Sequence, residues 1–182
     1  MRKLVVSALV SLDGVTESPW EWSRFDDECT ELSLQVLHDC DAFVMGRVTY
    51  DDFHAAWAGV TDDPYIERIN AMPKYVASRT LDDVTWNATL LGPDIVAALR
   101  QIKAEPGKDL IKYGLSRVDD TLLRAGLVDE LRVWVMPVVV GTGRHLFEDI
   151  DTSALDLTLT DTRRLANGSV ILKYTPAIRA RA

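Results

Sequence analysis

The chain has 182 residues, 47% of them hydrophobic and 26% charged, which suffices for one packed domain and excludes a disordered chain. A formal net charge of −8 argues against a nucleic-acid binder, because such proteins displace phosphate counterions with a basic face. The two cysteines, Cys29 and Cys40, have neither zinc nor redox spacing and read as buried thiols in a reducing, cytoplasmic setting.

Leu4 to Leu9 is a short apolar run. Ser7 and Ser11 interrupt it and Asp13-Gly14 ends it, so it reads as an interior strand rather than a signal peptide. No run is long enough to span a membrane. Thr16 to Ser23, with Pro19, Trp20 and Trp22, reads as a loop. Phe25, Cys29, Leu32 and Val36 then repeat at helical spacing, with Asp26, Asp27, Glu28 and Glu31 between them. Asp41 to Met45 is a second strand, Gly46 a break, and Arg47 to Trp57 a helix. Asp62-Asp63-Pro64 opens a helix to about Ala71.

Lys74 to Ala77 is a third strand and Val84 to Leu91 holds a fourth. Pro93 opens a helix through Lys103. Leu110 to Tyr113 is a strand, Gly114 a break, and Ser116 to Ala125 a helix stopped by Gly126. Leu131 to Val140 is a strand interrupted by Pro137. Leu155 to Leu165 and Ser169 to Tyr174 alternate around Asn167-Gly168, the pattern of a hairpin. The order is β-α-β-α with an antiparallel end, which predicts a mostly parallel sheet with helices on both faces. One domain over 1–176 and a tail at 177–182 are expected.

Three junctions carry chemistry. Gly46-Arg47-Val48-Thr49 joins a strand to a helix, where glycine admits a ligand and helix N–H groups attract phosphate. Arg47 adds a charged fork and Thr49 a hydroxyl. Ser78-Arg79-Thr80 repeats that chemistry at the next strand end, where ligands of open α/β sheets bind. Tyr113-Gly114-Leu115-Ser116 is a third such junction. For each the alternative is an ordinary turn, with a surface arginine at the first two and a helix capped by Ser116 at the third. Neither GxGxxG nor GxxxxGK[ST] occurs. His38, His54 and His145 lack metal spacing, and no metal is expected. Trp134 reads as core or interface, while Trp20 and Trp22 suit a flat heterocycle.

Val10 to Gly14, Phe43 to Tyr50 and Tyr75 to Thr80 resemble the dihydrofolate reductase-like superfamily in order and spacing. Gly126 to Leu131, Met136 to Gly143 and Leu146-Phe147 narrow the resemblance to the reductase domain of the bifunctional riboflavin-biosynthesis deaminase–reductase and its stand-alone bacterial relatives. The resemblance implies a three-layer α/β/α dihydrofolate reductase-like fold, with a mostly parallel mixed sheet and a C-terminal antiparallel hairpin. It implies NADPH. Gly46, Arg47 and Thr49 match the family's phosphate site, and Ser78 and Arg79 its 2′-phosphate contact. Gly114, Leu115 and Ser116 fall at its pyrophosphate loop, with Leu115 departing from the family's small residues. Leu12, Asp13 and Gly14 match the loop that closes on the nicotinamide.

The expected reaction is reduction of a small heterocycle, a pyrimidine of the riboflavin pathway such as 5-amino-6-(5-phosphoribosylamino)uracil. Dihydrofolate reduction and a non-catalytic NADPH-binding module are the alternatives. For the acid, Asp26, Asp27, Glu28 and Glu31 on the helix start compete, Asp27 and Glu28 foremost, and Asp13 is also a candidate, favoured for a polar role on the substrate side. Asp13 as a turn former and the acids of the helix start as a solvated face remain open. Loops 46–49, 78–80 and 114–116 are expected to gather around one dinucleotide. A homodimer is expected through the apolar terminal strands.

Overall fold

The computed structural model describes residues 1–179. In chain order the elements are β1 (Leu4–Ser11), α1 (Pro19–Trp22), α2 (Asp27–Asp39), β2 (Cys40–Gly46), α3 (Arg47–Trp57), α4 (Pro64–Ala71), β3 (Lys74–Ala77), β4 (Ala88–Leu90), α5 (Ile95–Ala104), β5 (Asp109–Tyr113), α6 (Arg117–Arg124), β6 (Glu130–Met136), β7 (Leu155–Arg164) and β8 (Val170–Ile178). They form two compact units, Met1–Leu4 with Thr30–Tyr113, and Val5–Cys29 with the described residues from Gly114 onward.

In the first unit β4, β3, β2 and β5 are neighbours in that order, all parallel. Val44, Val76 and Ile111 are fully or almost fully buried, as strands covered on both faces require. Asp63 caps α4 by accepting from Tyr65 N and Ile66 N, with Pro64 at the first helical position. Asp94 caps α5 through Ala97 N, so that helix starts at Ile95, two residues beyond the expected Pro93. The fourth strand is only Ala88–Leu90, because Trp86 and Asn87 take φ of 63° and 53° and break the extended run.

In the second unit β1 pairs parallel with β6, β6 pairs antiparallel with β8, and β8 with β7. The sheet is mixed, as expected, and the hairpin turns at Asn167-Gly168. Three expectations are corrected. Thr16 to Ser23 is not all loop, since Pro19–Trp22 forms a short helix. The strand expected to reach Val140 ends at Met136, because Pro137 has no N–H and Val138 N turns back onto the Met136 carbonyl at 2.8 Å. β8 continues past Tyr174 to Ile178, where it pairs with Leu155, so the expected boundary at 176 falls inside a strand. Trp134 is core within the chain, 3% exposed and stacked on Phe25 with ring centroids 5.9 Å apart. The end of the expected tail, 180–182, lies outside the described residues. Among the described residues no helix is long and apolar enough to cross a membrane.

Candidate functional site

The first unit brings two of the expected loops side by side. Gly46, the last residue of β2, is registered with Ala77, the last of β3. The chain therefore leaves both parallel strands at the same level, into Arg47 on one and Ser78-Arg79-Thr80 on the other. Arg47 Nη1 donates to Thr80 Oγ1 at 2.6 Å, and its Nε donates to Asp51 Oδ2 at 3.2 Å. Ser78 Oγ accepts from Thr80 N at 3.2 Å and Leu81 N at 3.0 Å, which folds the second loop into a tight turn. Arg79 is exposed and makes no ion pair or hydrogen bond among the described residues.

The start of α3 suits an anion. Gly46 at its N-cap offers no side-chain cap, whereas Asp63 and Asp94 cap α4 and α5. Its first turn has no acidic residue and includes Arg47 and half-buried Thr49. A Cβ placed on Gly46 meets nothing within 4 Å, so open space lies over the strand end. Unspent helix N–H groups, two guanidinium groups and hydroxyls on one strand-end surface are the donor set a phosphate monoester takes.

The second unit holds the other two expected segments. Asp13 lies in the turn after β1, where it accepts from Ser11 Oγ at 2.6 Å, Val140 N at 3.1 Å and Gly141 N at 2.7 Å. These donors pull its carboxyl down to about 2, the Ser11 hydroxyl contributing most. Leu12, 66% exposed, donates its N–H to the Val138 carbonyl at 2.8 Å, so the loop is tied at two consecutive residues to the segment leaving β6. Gly14 has φ +93°, and a Cβ there would stand 3.1 Å from His145 Nδ1, so glycine admits the imidazole.

Loop 114–116 is already bonded. Gly114 N donates to Ser7 O at 2.8 Å. Ser116 N and Oγ both donate to Asp119 Oδ2, at 2.7 and 2.9 Å, a capping box at the head of α6. Leu115 is 2% exposed, and its carbonyl accepts from Arg144 Nη1 at 3.1 Å.

The acids at the start of α2 divide. Glu28 accepts from Arg163 Nη2 at 3.2 Å and from Ala166 N at 2.9 Å. Asp27 is exposed in the first turn, where its charge suits the helix dipole. The hydroxyl of Thr80 is legible in the sequence, but its bond to Arg47 is not, and neither are the contacts of Arg144 and of the amides of Val140 and Gly141. The Gly141-Thr142-Gly143-Arg144 run signals a turn, but nothing local says which carboxylate or carbonyl it meets.

Comparison with known proteins bears on the family and the fold. The family model described as RibD C-terminal domain matches residues 2–171. The uncharacterized protein YyaP of Bacillus subtilis (strain 168) is 29% identical over 181 residues, 95% of this chain and 94% of its own. A putative riboflavin biosynthesis protein from Shewanella sp. PV-4 superposes with a TM-score of 0.69 at 22% identity, over 96% of this chain and 98% of that one. Dihydrofolate reductase from Enterococcus faecalis, complexed with NADP(H) and RAB-propyl, gives 0.64 at 13% identity over 96% of each chain. The fold is thus an α/β dihydrofolate reductase-like fold along nearly the whole sequence.

Proposed function

The chain belongs to the RibD C-terminal domain family, and we propose on that premise that it is an NADPH-dependent reductase of a small heterocycle, of the riboflavin-pathway type. The observation that carries the cofactor is the paired strand end of the first unit. Arg47 and Thr80 are hydrogen-bonded there, Arg79 is uncommitted, and the uncapped start of α3 lies between open space and the sheet. These residues fit the 2′-phosphate that distinguishes NADPH from NADH. When bound, NADPH supplies the hydride. The protein's part is orientation and charge placement, with Leu12, Asp13 and Gly14 as the loop beside the nicotinamide.

The substrate is a pyrimidine carrying a ribose phosphate, with 5-amino-6-(5-phosphoribosylamino)uracil as its type. Bound NADPH would supply hydride to an electrophilic carbon of this substrate and would be oxidised to NADP+, with a proton going to the adjoining heteroatom. Asp13, ionised at neutral pH by its three donors, serves in this reading to hold the substrate-side loop. Asp27 is the exposed carboxyl near the start of α2 and is the remaining proton donor of the three acids. The working form is a cytoplasmic homodimer. Both cysteines are buried free thiols, and β7 presents Leu159, half exposed, on a strand whose outer edge is open.

A second reading, an NADPH-binding module without turnover, draws on the engagement of Asp13 and Glu28 by other groups. One experiment separates the two. Loss of nicotinamide absorbance is followed with NADPH or NADH against the pyrimidine and against dihydrofolate. Turnover with the pyrimidine and a preference for NADPH is the expected result. Tight NADPH binding with no turnover on either substrate selects the module, and turnover on dihydrofolate alone selects a folate enzyme.

A further inference from the structure

We propose that Tyr50 is a positioning residue for NADPH, holding the loop between β3 and β4 so that its donors stand ready for the 2′-phosphate; this rests on the NADPH reading above and lies within the first unit. Tyr50 is 6% exposed, on the buried side of α3. Its Oη accepts from Thr85 N at 2.9 Å and donates to the Thr85 carbonyl at 3.3 Å. One side chain thus satisfies both backbone groups of a single residue, as a neighbouring strand would. Thr85 lies three residues before β4, outside the ladder that joins β4 to β3, and the tyrosine supplies the pairing that the ladder does not.

The loop is held along one face of α3. Arg47, Tyr50 and His54 recur there at i, i+3 and i+7. Arg47 Nη1 donates to Thr80 Oγ1 at 2.6 Å, and His54 Nε2 lies 3.1 Å from Thr85 Oγ1, within hydrogen-bonding distance. The Tyr50 ring stacks on His54, with centroids 5.6 Å apart, and packs against Trp86 at 6.4 Å. Trp86 Nε1 in turn donates to Asn70 Oδ1 at 2.7 Å, so the returning limb of the loop is fixed on α3 and α4 together. Ser78 fixes the departing limb through Thr80 N and Leu81 N. Between these two limbs Arg79 and Thr80 are exposed. A loop ordered only by its ligand subtracts its ordering entropy from the affinity. The two Tyr50 bonds remove that loss in advance. Arg47 depends on the same device, because Thr80, its anchor, belongs to the loop. NADH has no 2′-phosphate to meet these donors, so the tyrosine acts on cofactor selectivity rather than on dinucleotide binding in general.

The test separates selectivity from folding. Binding of NADPH, NADH and 2′-AMP is measured by calorimetry on the full chain for wild type, Tyr50→Phe, Thr80→Ala and the double variant. Tyr50→Phe keeps the ring and removes both hydrogen bonds. It should weaken NADPH and 2′-AMP by about three- to tenfold and leave NADH within about twofold. The double variant should lose less than the product of the two single losses, because Tyr50 acts through the loop that carries Thr80. An NADPH-to-NADH affinity ratio equal to wild type in Tyr50→Phe overturns the assignment and marks a tyrosine that only supports the fold. Single losses that multiply without coupling overturn it as well. If Tyr50→Phe does not fold, wild type alone decides by hydrogen exchange. The Thr85 amide should be protected at least about tenfold before any ligand is added, with little change on adding 2′-AMP. An amide that gains its protection only when 2′-AMP binds overturns the proposal. A wild type that binds NADPH and NADH equally and takes no 2′-AMP removes the cofactor reading itself. A wild type that prefers NADPH, with Tyr50→Phe preferring it as strongly, removes the tyrosine's role alone.

Discussion

Gly141 N donates to Asp13 Oδ2 at 2.7 Å, across 128 positions of sequence, and this bond decides what the aspartate can do. With Ser11 Oγ and Val140 N also donating, the ionised form is favoured and the carboxyl titrates at about 2, below its ordinary 3.8. A group whose folded pKa is depressed adds stability above its unfolded pKa, and that stability is lost as pH falls through the folded value. Asp13→Asn should therefore lower Tm at neutral pH, and the gap from wild type should close as pH drops from about 4 toward 2. Thermal melts across that range check it. The acidic limb of the kcat profile should stay where it is in wild type, because a carboxyl ionised near pH 2 donates no proton at pH 7.

Arg47 is held by Thr80 on one side and Asp51 on the other. Its exposed position makes it a weak contributor to stability. Arg47→Ala should leave the melting curve nearly unchanged and raise KM for NADPH about 10- to 100-fold, with KM for NADH moving far less. Steady-state kinetics with both cofactors measure the ratio. Equal increases for the two would show that the 2′-phosphate is bound elsewhere.

The first unit was the more legible because its signals are local. A short apolar run, a glycine and a helical period mark β2 and α3, and α3 runs from Arg47 to Trp57 as its spacing predicts. β3 was legible for the same reason. The errors arose where one residue overrode a run. Pro137 ends β6, and the left-handed pair Trp86-Asn87 shortens β4. The second unit hid its site residues differently. Asp13 looks like any turn aspartate until Val140 and Gly141 arrive from the far end of the chain. Ser116 looks like a phosphate donor until Asp119 takes both its hydrogens. Such pairings are set by tertiary closure, which periodicity does not encode.

Lys74 is fully buried in β3, with Nζ donating to the carbonyls of Ile69 at 2.7 Å, Met72 at 2.8 Å and Asn70 at 3.2 Å, 4.2 Å from the centre of the Trp86 ring. It thereby satisfies the last carbonyls of α4. Burial pushes its pKa down from 10.5 to about 8. Between those values the unfolded chain binds the proton that the folded one has released, so stability rises with pH there, by up to about 3 kcal/mol from this group. Lys74→Met should abolish that rise and lower stability at pH 7.5, because three carbonyls lose their donor. Urea melts at pH 7.5 and 10 on both proteins measure it. A wild-type slope that persists in Lys74→Met would assign the titration to another group.

Gly143 sits at φ +132°, and a Cβ there would stand 2.7 Å from Val15 Cγ1 and 3.2 Å from Glu17 Oε2. Both contacts belong to the segment that Arg144 clamps, since Arg144 N donates to that same Glu17 oxygen. Gly143→Ala therefore carries two costs, a left-handed backbone and a clash with a buried β-branched side chain that cannot rotate away. Together they should lower stability by about 1–3 kcal/mol, read as a lower urea midpoint at constant m. Val15→Ala added to Gly143→Ala relieves the clash and leaves the backbone cost. The double mutant should therefore lose less than the sum of the two single losses, a coupling that a double-mutant cycle resolves. Strict additivity would place the whole cost in the backbone and would mean that the loop carrying Arg144 yields to the added methyl without disturbing Val15.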